Sequence, residues 1–241
     1  TGGNDKVTYF SNLNFMHQGG YFNTESKDYD ANPKNIWVNY RSNVDIQFNN
    51  YLSGFLRLSG NVKREHVPGG ASNDATYASM FLMPPTTYGP LTPVIKDENG
   101  VELPGSGQVT VTDRVDQSTY GILNRTGYYN HTVTNISSQF GLNLDMSFLT
   151  QGLNLSGVFA YQTNSVGSLA TTQNYERYIR SDNWDELEFS KKGEQNNTPL
   201  AYGKSHSYYY HITYKGQLDY SRVFGDHSIH AMAYGLFQDL T

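Results

Sequence analysis

The sequence predicts an all-β protein, an antiparallel transmembrane β-barrel segment contributing about seven strands of a larger barrel. Three observations carry this expectation. Apolar and polar residues alternate with period two over long stretches, so each stretch has one apolar and one polar face. The connections between stretches are alternately short and long. No segment shows a 3.6-residue period long enough to cover an apolar sheet face.

The first alternating segment runs from Lys6 to about His17, with Val7, Tyr9, Leu13 and Phe15 in one phase. The second, Asn35 to Asn49, sets Ile36, Val38, Tyr40, Val44, Ile46 and Phe48 against Trp37, Asn39, Arg41, Asn43, Asp45 and Gln47. A short turn over residues 50–54 leads to the third, where Leu56, Leu58 and Val62 oppose Arg57, Ser59 and Asn61. The fourth starts as early as Tyr128 and carries Phe140, Leu142, Leu144, Met146 and Phe148 in its apolar phase. Leu149-Thr150-Gln151-Gly152 turns into the fifth, with Leu153, Leu155, Phe159 and Tyr161. The sixth, Ser205 to Val223, alternates Tyr208, Tyr210, Ile212, Tyr214, Leu218 and Tyr220 with Tyr209, His211, Thr213, Lys215, Gln217 and Asp219. Residues 224–227 turn into the seventh, which runs from Ser228 to the end.

Short turns follow segments two, four and six, and long Gly/Pro/Asn-rich connections follow one, three and five. A soluble β-sandwich has no reason to sort its loops this way, whereas outer-membrane barrels have short periplasmic turns and long extracellular loops. The segments also exceed the usual strand of about 5–6 residues. Aromatic residues near segment ends (Tyr9-Phe10, Phe22, Tyr51, Phe55, Tyr208 to Tyr210, Tyr220, Phe224) fit interfacial girdles. A soluble antiparallel sandwich or meander remains the alternative, since it alternates too.

Composition narrows the function classes. The 241 residues carry a net charge of −5 with no basic patch, which excludes a nucleic-acid interface. Mean hydropathy is −0.60, and no run approaches the roughly 18 apolar residues of a membrane helix. A barrel strand needs only about 10 alternating residues and leaves little hydropathy signal. Cysteine is absent, so no disulfide framework or thiolate metal site is available. Thr1 to Asp5 reads as a loop interior, and the chain is expected to be part of a longer one.

Catalytic signatures are missing: there is no Gly-x-Ser-x-Gly elbow, His-Glu-x-x-His or Walker loop, so no enzyme, cofactor or metal is expected. His227 and His230 point to opposite faces of an extended chain. Asp28, Asp30 and Asn32, or Asp97-Glu98-Asn99, offer oxygens but lack the spacing of a calcium loop and read as solvated turns. The five Asn-x-Ser/Thr matches, at Asn124, Asn130, Asn135, Asn154 and Asn196, read as chance. Transport needs different groups: polar side chains on a wet face and aromatics for stacking. Candidate substrate-binding residues are therefore Trp37, Asn39 and Arg41 on segment two, His211 on segment six, and Tyr88, Tyr175 and Trp184 in the loops. Arg41 is expected either to form an internal ion pair with Asp45 or to hydrogen-bond a plug, and Leu144 to lie near the middle of the apolar stripe.

Over residues 7 to 105 the chain resembles a known family. YFSNLNFMHQGGYFNT, then NYRSNVDIQFNNYLSGFLRLSGNVKREHVPG, then MFLMPPTTYGP before KDENG, are similar to the barrel of SusC/RagA-type TonB-dependent outer-membrane transporters of Bacteroidetes. The matched positions include Tyr9, Phe10, Ser11, Gln18, Gly19, Tyr40, Arg41, Asn43, Leu58, Ser59 and Gly60. The resemblance implies a barrel of about 22 strands and uptake of an oligosaccharide or peptide through the outer membrane. A SusD-like surface lipoprotein would act as lid and TonB–ExbB–ExbD as energy source. The plug domain and TonB box are not in this sequence. Two other readings stay open, a passive porin or small eight-stranded barrel, and a soluble β-rich glycan-binding or adhesin module.

Overall fold

The computed structural model describes residues 1–26, 28–69, 73–84, 88–183 and 185–241. Strand accounts for 58% of the described residues, far above the roughly 20–25% of an average globular protein, so the all-β class is established. The elements in order are β1 (Gly2–Gly3), β2 (Val7–Gly19), β3 (Lys34–Gln47), β4 (Leu52–Pro68), α1 (Asn73–Leu82), β5 (Val109–Thr110), α2 (Thr119–Arg125), β6 (Tyr128–Asp145), β7 (Leu153–Thr172), β8 (Arg177–Arg180), β9 (Phe189–Lys191), β10 (Ala201–Phe224) and β11 (His227–Leu240).

The seven long strands form one antiparallel meander, β2-β3-β4-β6-β7-β10-β11, with β1 appended to the edge of β2. They coincide with the seven alternating segments. The short turns after β3, β6 and β10 lie at one end of the sheet, and residues 20–33, 69–127 and 173–200 connect strands at the other. Boundaries differ from expectation at β10, which starts at Ala201 and not Ser205, and at the end of β6. β6 ends at Asp145, because Asp145 accepts from the Ser147 amide (2.8 Å) and Thr150 donates its amide to the Met146 carbonyl (3.2 Å), closing a turn. Met146 and Phe148 therefore leave the strand, and Phe148 meets Tyr51 of the neighbouring turn edge-on at 5.8 Å.

Register decides the faces, because paired residues share a side. One row reads Tyr9–Val44–Leu56–Phe140–Phe159–Tyr214–Phe237 across all seven long strands. The adjacent phase supplies rows such as Asn12–Arg41–Ser59–Ser137–Gln162–His211–Leu240. The sheet curls around this polar phase, since residues of the first and last long strands, Asn12 and Leu240, line one cleft.

None of the described residues forms a layer over the apolar face. Leu13 is 70%, Phe15 67% and Phe237 61% exposed. The buried hydrophobic residues, Ala31, Val67, Val109, Val111, Val115, Ile122, Leu123 and Tyr175, sit in the long connections or at the strand end they adjoin. A compact 27.1 kDa chain would expose about 11,000 Å² by size scaling, whereas this one exposes 15,797 Å².

The apolar band also has a shape. On the short-turn side its last apolar residue is Val7 on β2, in one row with Gly54, Leu142, Gly157, Gly216 and Gly235. Relative to that row the limit lies progressively lower toward β11, at Leu52 on β4 and Leu144 on β6, which are level, then Leu153 on β7 and Ile229 on β11. Its other limit steps down from β3 to β7, where Ile36 faces Arg64, Val62 faces Thr134 and Ile136 faces Thr163, and rises again to Tyr208 on β10. The short-turn limit drops by about one residue per strand, which tilts the strands about 35° from the band normal at rises of about 3.3 Å and spacings of about 4.8 Å. Leu52 to Val62 spans about 33 Å of β4, or about 27 Å across the inclined band. Leu144 lies at the band's rim, not its middle; the central position on β6 is Phe140.

Gly152 holds the β6–β7 turn against β10. Its φ is +87°, a Cβ there would collide with the Ser221 carbonyl, and Ser221 donates its amide to the Gly152 carbonyl at 2.9 Å. Gly157, five residues on, has open space around it. Gly152→Ala should lower stability by more than about 1 kcal/mol, while Gly157→Ala should leave it unchanged. Thermal unfolding of the two variants checks this, and equal effects would show that the turn does not rely on Gly152.

Candidate functional site

The polar face concentrates its chemistry in two adjacent rows. One is an asparagine row, Asn14–Asn39–Asn61–Asn135–Asn164, ending at Tyr209. Asn61 Nδ2 donates to Asn39 Oδ1, and Asn164 Nδ2 donates to Asn135 Oδ1. The other row contains Asn12, Arg41, Ser59, Ser137, Gln162 and His211. Apart from Asn14, these residues together line a cleft of about 650 Å³. Each amide offers one acceptor and two donors, and pairing within the row leaves hydrogen-bonding capacity facing the cleft. A surface of this kind complements hydroxyl or peptide groups of a neutral polar solute.

Charge is sparse there. Asp45 pairs with Arg57, whose guanidinium also donates to the Val44 carbonyl (3.1 Å) and stacks over Phe55 at 4.9 Å. The expected Arg41–Asp45 pair does not form. Four residues along one strand are about 13 Å apart, whereas Asp45 and Arg57 are diagonal neighbours across the β3–β4 ladder, within reach of long side chains. Among the described residues Arg41 makes no ion pair, and its exposed guanidinium stands beside the cleft. Phe55 in turn lies over Gly141, where any side chain would collide with its ring.

Of the residues singled out from sequence, Asn39, Arg41 and His211 line the cleft together. Trp37 shares their face in the next row, opposite Met16 and Lys63, and is 39% exposed. Tyr88 instead packs edge-on against Phe189 at 5.0 Å. Tyr175 is buried at 6% exposure and offers no surface to a solute. Trp184 lies outside the described residues. Sequence reading missed the asparagine row, whose members fall on five different strands and become neighbours only through register. Asn135, which also sits in an Asn-x-Ser match, belongs to this row.

The oxygen-rich loop positions are internally satisfied. Asp30 pairs with Lys34, which holds its carboxyl below the usual range, and it accepts from the Asn32 amide at 3.0 Å. Asp97 Oδ1 accepts from the Asn99 and Val101 amides at 2.9 and 2.8 Å, a solvated turn. No cluster of three or more metal-ligating side chains occurs among the described residues. His227 and His230 fall on opposite faces.

The three long connections form a cap with its own small core. β5 pairs parallel with β8, and β8 antiparallel with β9. Val109, Val111 and Tyr175 pack together beneath Leu91, Tyr120 and Ile179. Helix α2 starts at Ser118, whose hydroxyl accepts from the Gly121 amide at 3.2 Å, an N-cap. Asn124 accepts from the amides of Glu25 and Ser26, and Tyr29 accepts from the Gly127 amide, which ties the first connection to the second. Arg177 and Lys192 do the same between the second and third, through the carbonyls of Asp116 and Thr112. No protein-family model matches the chain, and no curated protein matches it in sequence.

Tyr175 carries a testable feature of the cap. Burial pushes its phenol up to about 12, and its hydroxyl has no partner among the described residues. The folded cap thus holds the proton more tightly than the unfolded chain, so the contribution is complete below pH 10 and is lost as pH rises through 12. Tyr175→Phe should abolish about 2–3 kcal/mol of stability loss across that window and leave neutral-pH stability equal or about 1 kcal/mol higher. Thermal unfolding against pH measures both, and an identical alkaline decline in the variant would contradict the assignment.

Proposed function

We propose that this chain is part of the wall of an outer-membrane β-barrel, in a SusC/RagA-like TonB-dependent importer of the Gram-negative cell surface. The observation that carries the reading is the uncovered apolar band. Its short-turn limit drops across the seven strands at an average inclination of about 35°, inside the 35–45° tilt of membrane strands, and its height of about 27 Å is close to a bilayer's apolar band of about 25 Å. A soluble sheet has no reason to incline its apolar face relative to its strands. Lipid supplies the missing layer without a protein partner.

In this reading the asparagine row, Arg41, Trp37 and His211 face the lumen and contact an oligosaccharide or peptide in transit. The cap stands on the outer side, where a SusD-like lipoprotein would close over it. TonB–ExbB–ExbD would act through a plug that this sequence does not contain. The outer edges of β2 and β11 leave most of their ladder groups unpaired, which is untenable in hydrocarbon; further strands pair there and close the barrel. A second reading, a small passive barrel, is favoured by the curl that brings Asn12 and Leu240 to one cleft. Uptake that persists without a proton gradient would select the passive barrel.

Phe140 and Gln139 are neighbours in sequence and lie on opposite faces near the middle of the band. Phe140→Arg should impair membrane assembly by about 2–4 kcal/mol, and Gln139→Arg should be tolerated. Heat-modifiable migration of membrane-extracted protein reports assembly. Equal tolerance at both positions would sink the barrel reading.

A further inference from the structure

On four of the seven long strands the apolar face ends in a basic side chain at the cap side. The first residue beyond the band is His17 after Phe15 on β2, Lys34 after Ile36 on β3, Arg64 after Val62 on β4 and His206 after Tyr208 on β10. Lys34 already pairs with Asp30. Arg64 and Lys204 make no ion pair among the described residues, and both are exposed.

These groups share a site. Arg64, Thr132, Gly167 and His206 form one row across β4, β6, β7 and β10, with Asn130 and Lys204 one step nearer the cap. They line a cleft of about 550 Å³. Gly167 leaves its floor open, since a Cβ there would touch only the His206 ring at 3.8 Å. Carboxylates avoid the surface: Asp45, Glu65, Asp145 and Asp219 fall on the opposite face, and Asp239 alone among strand acids shares it, on β11. At the short-turn end the same face has Arg222, already stacked on Phe224 at 4.8 Å.

We propose that this cleft binds the phosphate of an anionic lipid headgroup in the leaflet on the cap side. The inference rests on the membrane reading, which supplies acyl chains beside the band below. A phosphate at the rim would lie between the Arg64 guanidinium and the Lys204 ammonium, where a bidentate guanidinium contact is available. The hydroxyl of Thr132 and the amide of Asn130 add neutral donors. Acyl chains would run down over Ile136 and Tyr161, and the headgroup would meet the cap's outer base. A free anion would gain the charge contact alone, whereas a lipid gains it together with burial of its chains. The wall would thereby distinguish its two leaflets.

The test uses the intact protein in nanodiscs of phosphatidylcholine with or without phosphatidylglycerol, with bound lipid counted by native mass spectrometry. The R64Q/K204Q variant should bind phosphatidylglycerol about 30-fold more weakly, with salt reducing the difference. R222Q should bind it as the unaltered protein does. Equal phosphatidylglycerol retention in R64Q/K204Q, with phosphatidylcholine still held, would overturn the site and spare the membrane reading. Failure of every variant to hold either lipid would overturn both. Displacement of phosphatidylglycerol by excess inorganic phosphate would mark a free-anion site and overturn the lipid assignment.

Discussion

Backbone pairing between seven long strands is the constraint on which everything else depends. It has a fixed register, and side chains alternate with a period of two, so a one-residue slip would exchange the faces entirely. Register therefore turns a sequence pattern into two surfaces, one apolar and one amide-rich. The sheet holds together through its ladders and cross-strand pairs, not through a core. Among the described residues the only buried hydrophobic cluster sits in the cap, and it organises connections rather than strands. Such a sheet needs an environment that accepts its apolar side.

Strand positions were legible in the sequence because the alternation is long and regular. Tyr128 is the first residue of β6, as the pattern indicated, and the three short turns fall where predicted. Met146 and Phe148 continue the alternation yet leave the strand, since Asp145 captures the Ser147 amide and hydrogen bonding outranks hydrophobic phase at a turn. Helices α1 and α2 were not legible, being short pieces inside a long connection. The cap's parallel β5–β8 pairing was equally hidden, because two and four residues carry no period.

The candidate site was half legible for the same reason. Trp37, Asn39 and Arg41 stand on one strand, where phase alone places them together. His211 joins Arg41 only through the register of intervening strands, and the asparagine row exists only in that register. Arg57 displaced Arg41 as the partner of Asp45 because diagonal reach across a ladder is shorter than four residues along it. Tyr175 looked like a loop aromatic free for stacking, but Gly121 leaves room for its ring and the cap closes over it. Both faces thus gain meaning from pairing: in the proposed function the amide rows are a solute path and the inclined band a lipid surface.

The central claim is that the two phases see different media. Spin labels placed singly at Ile136, Phe140 and Phe159, and at Ser137, Gln139 and Gln162, can be compared in bilayers for relaxation by oxygen and by a water-soluble nickel complex. The account predicts that the first set relaxes with oxygen and is shielded from nickel, while the second does the reverse. Nickel access to both sets, in protein that remains monodisperse without detergent, would contradict it.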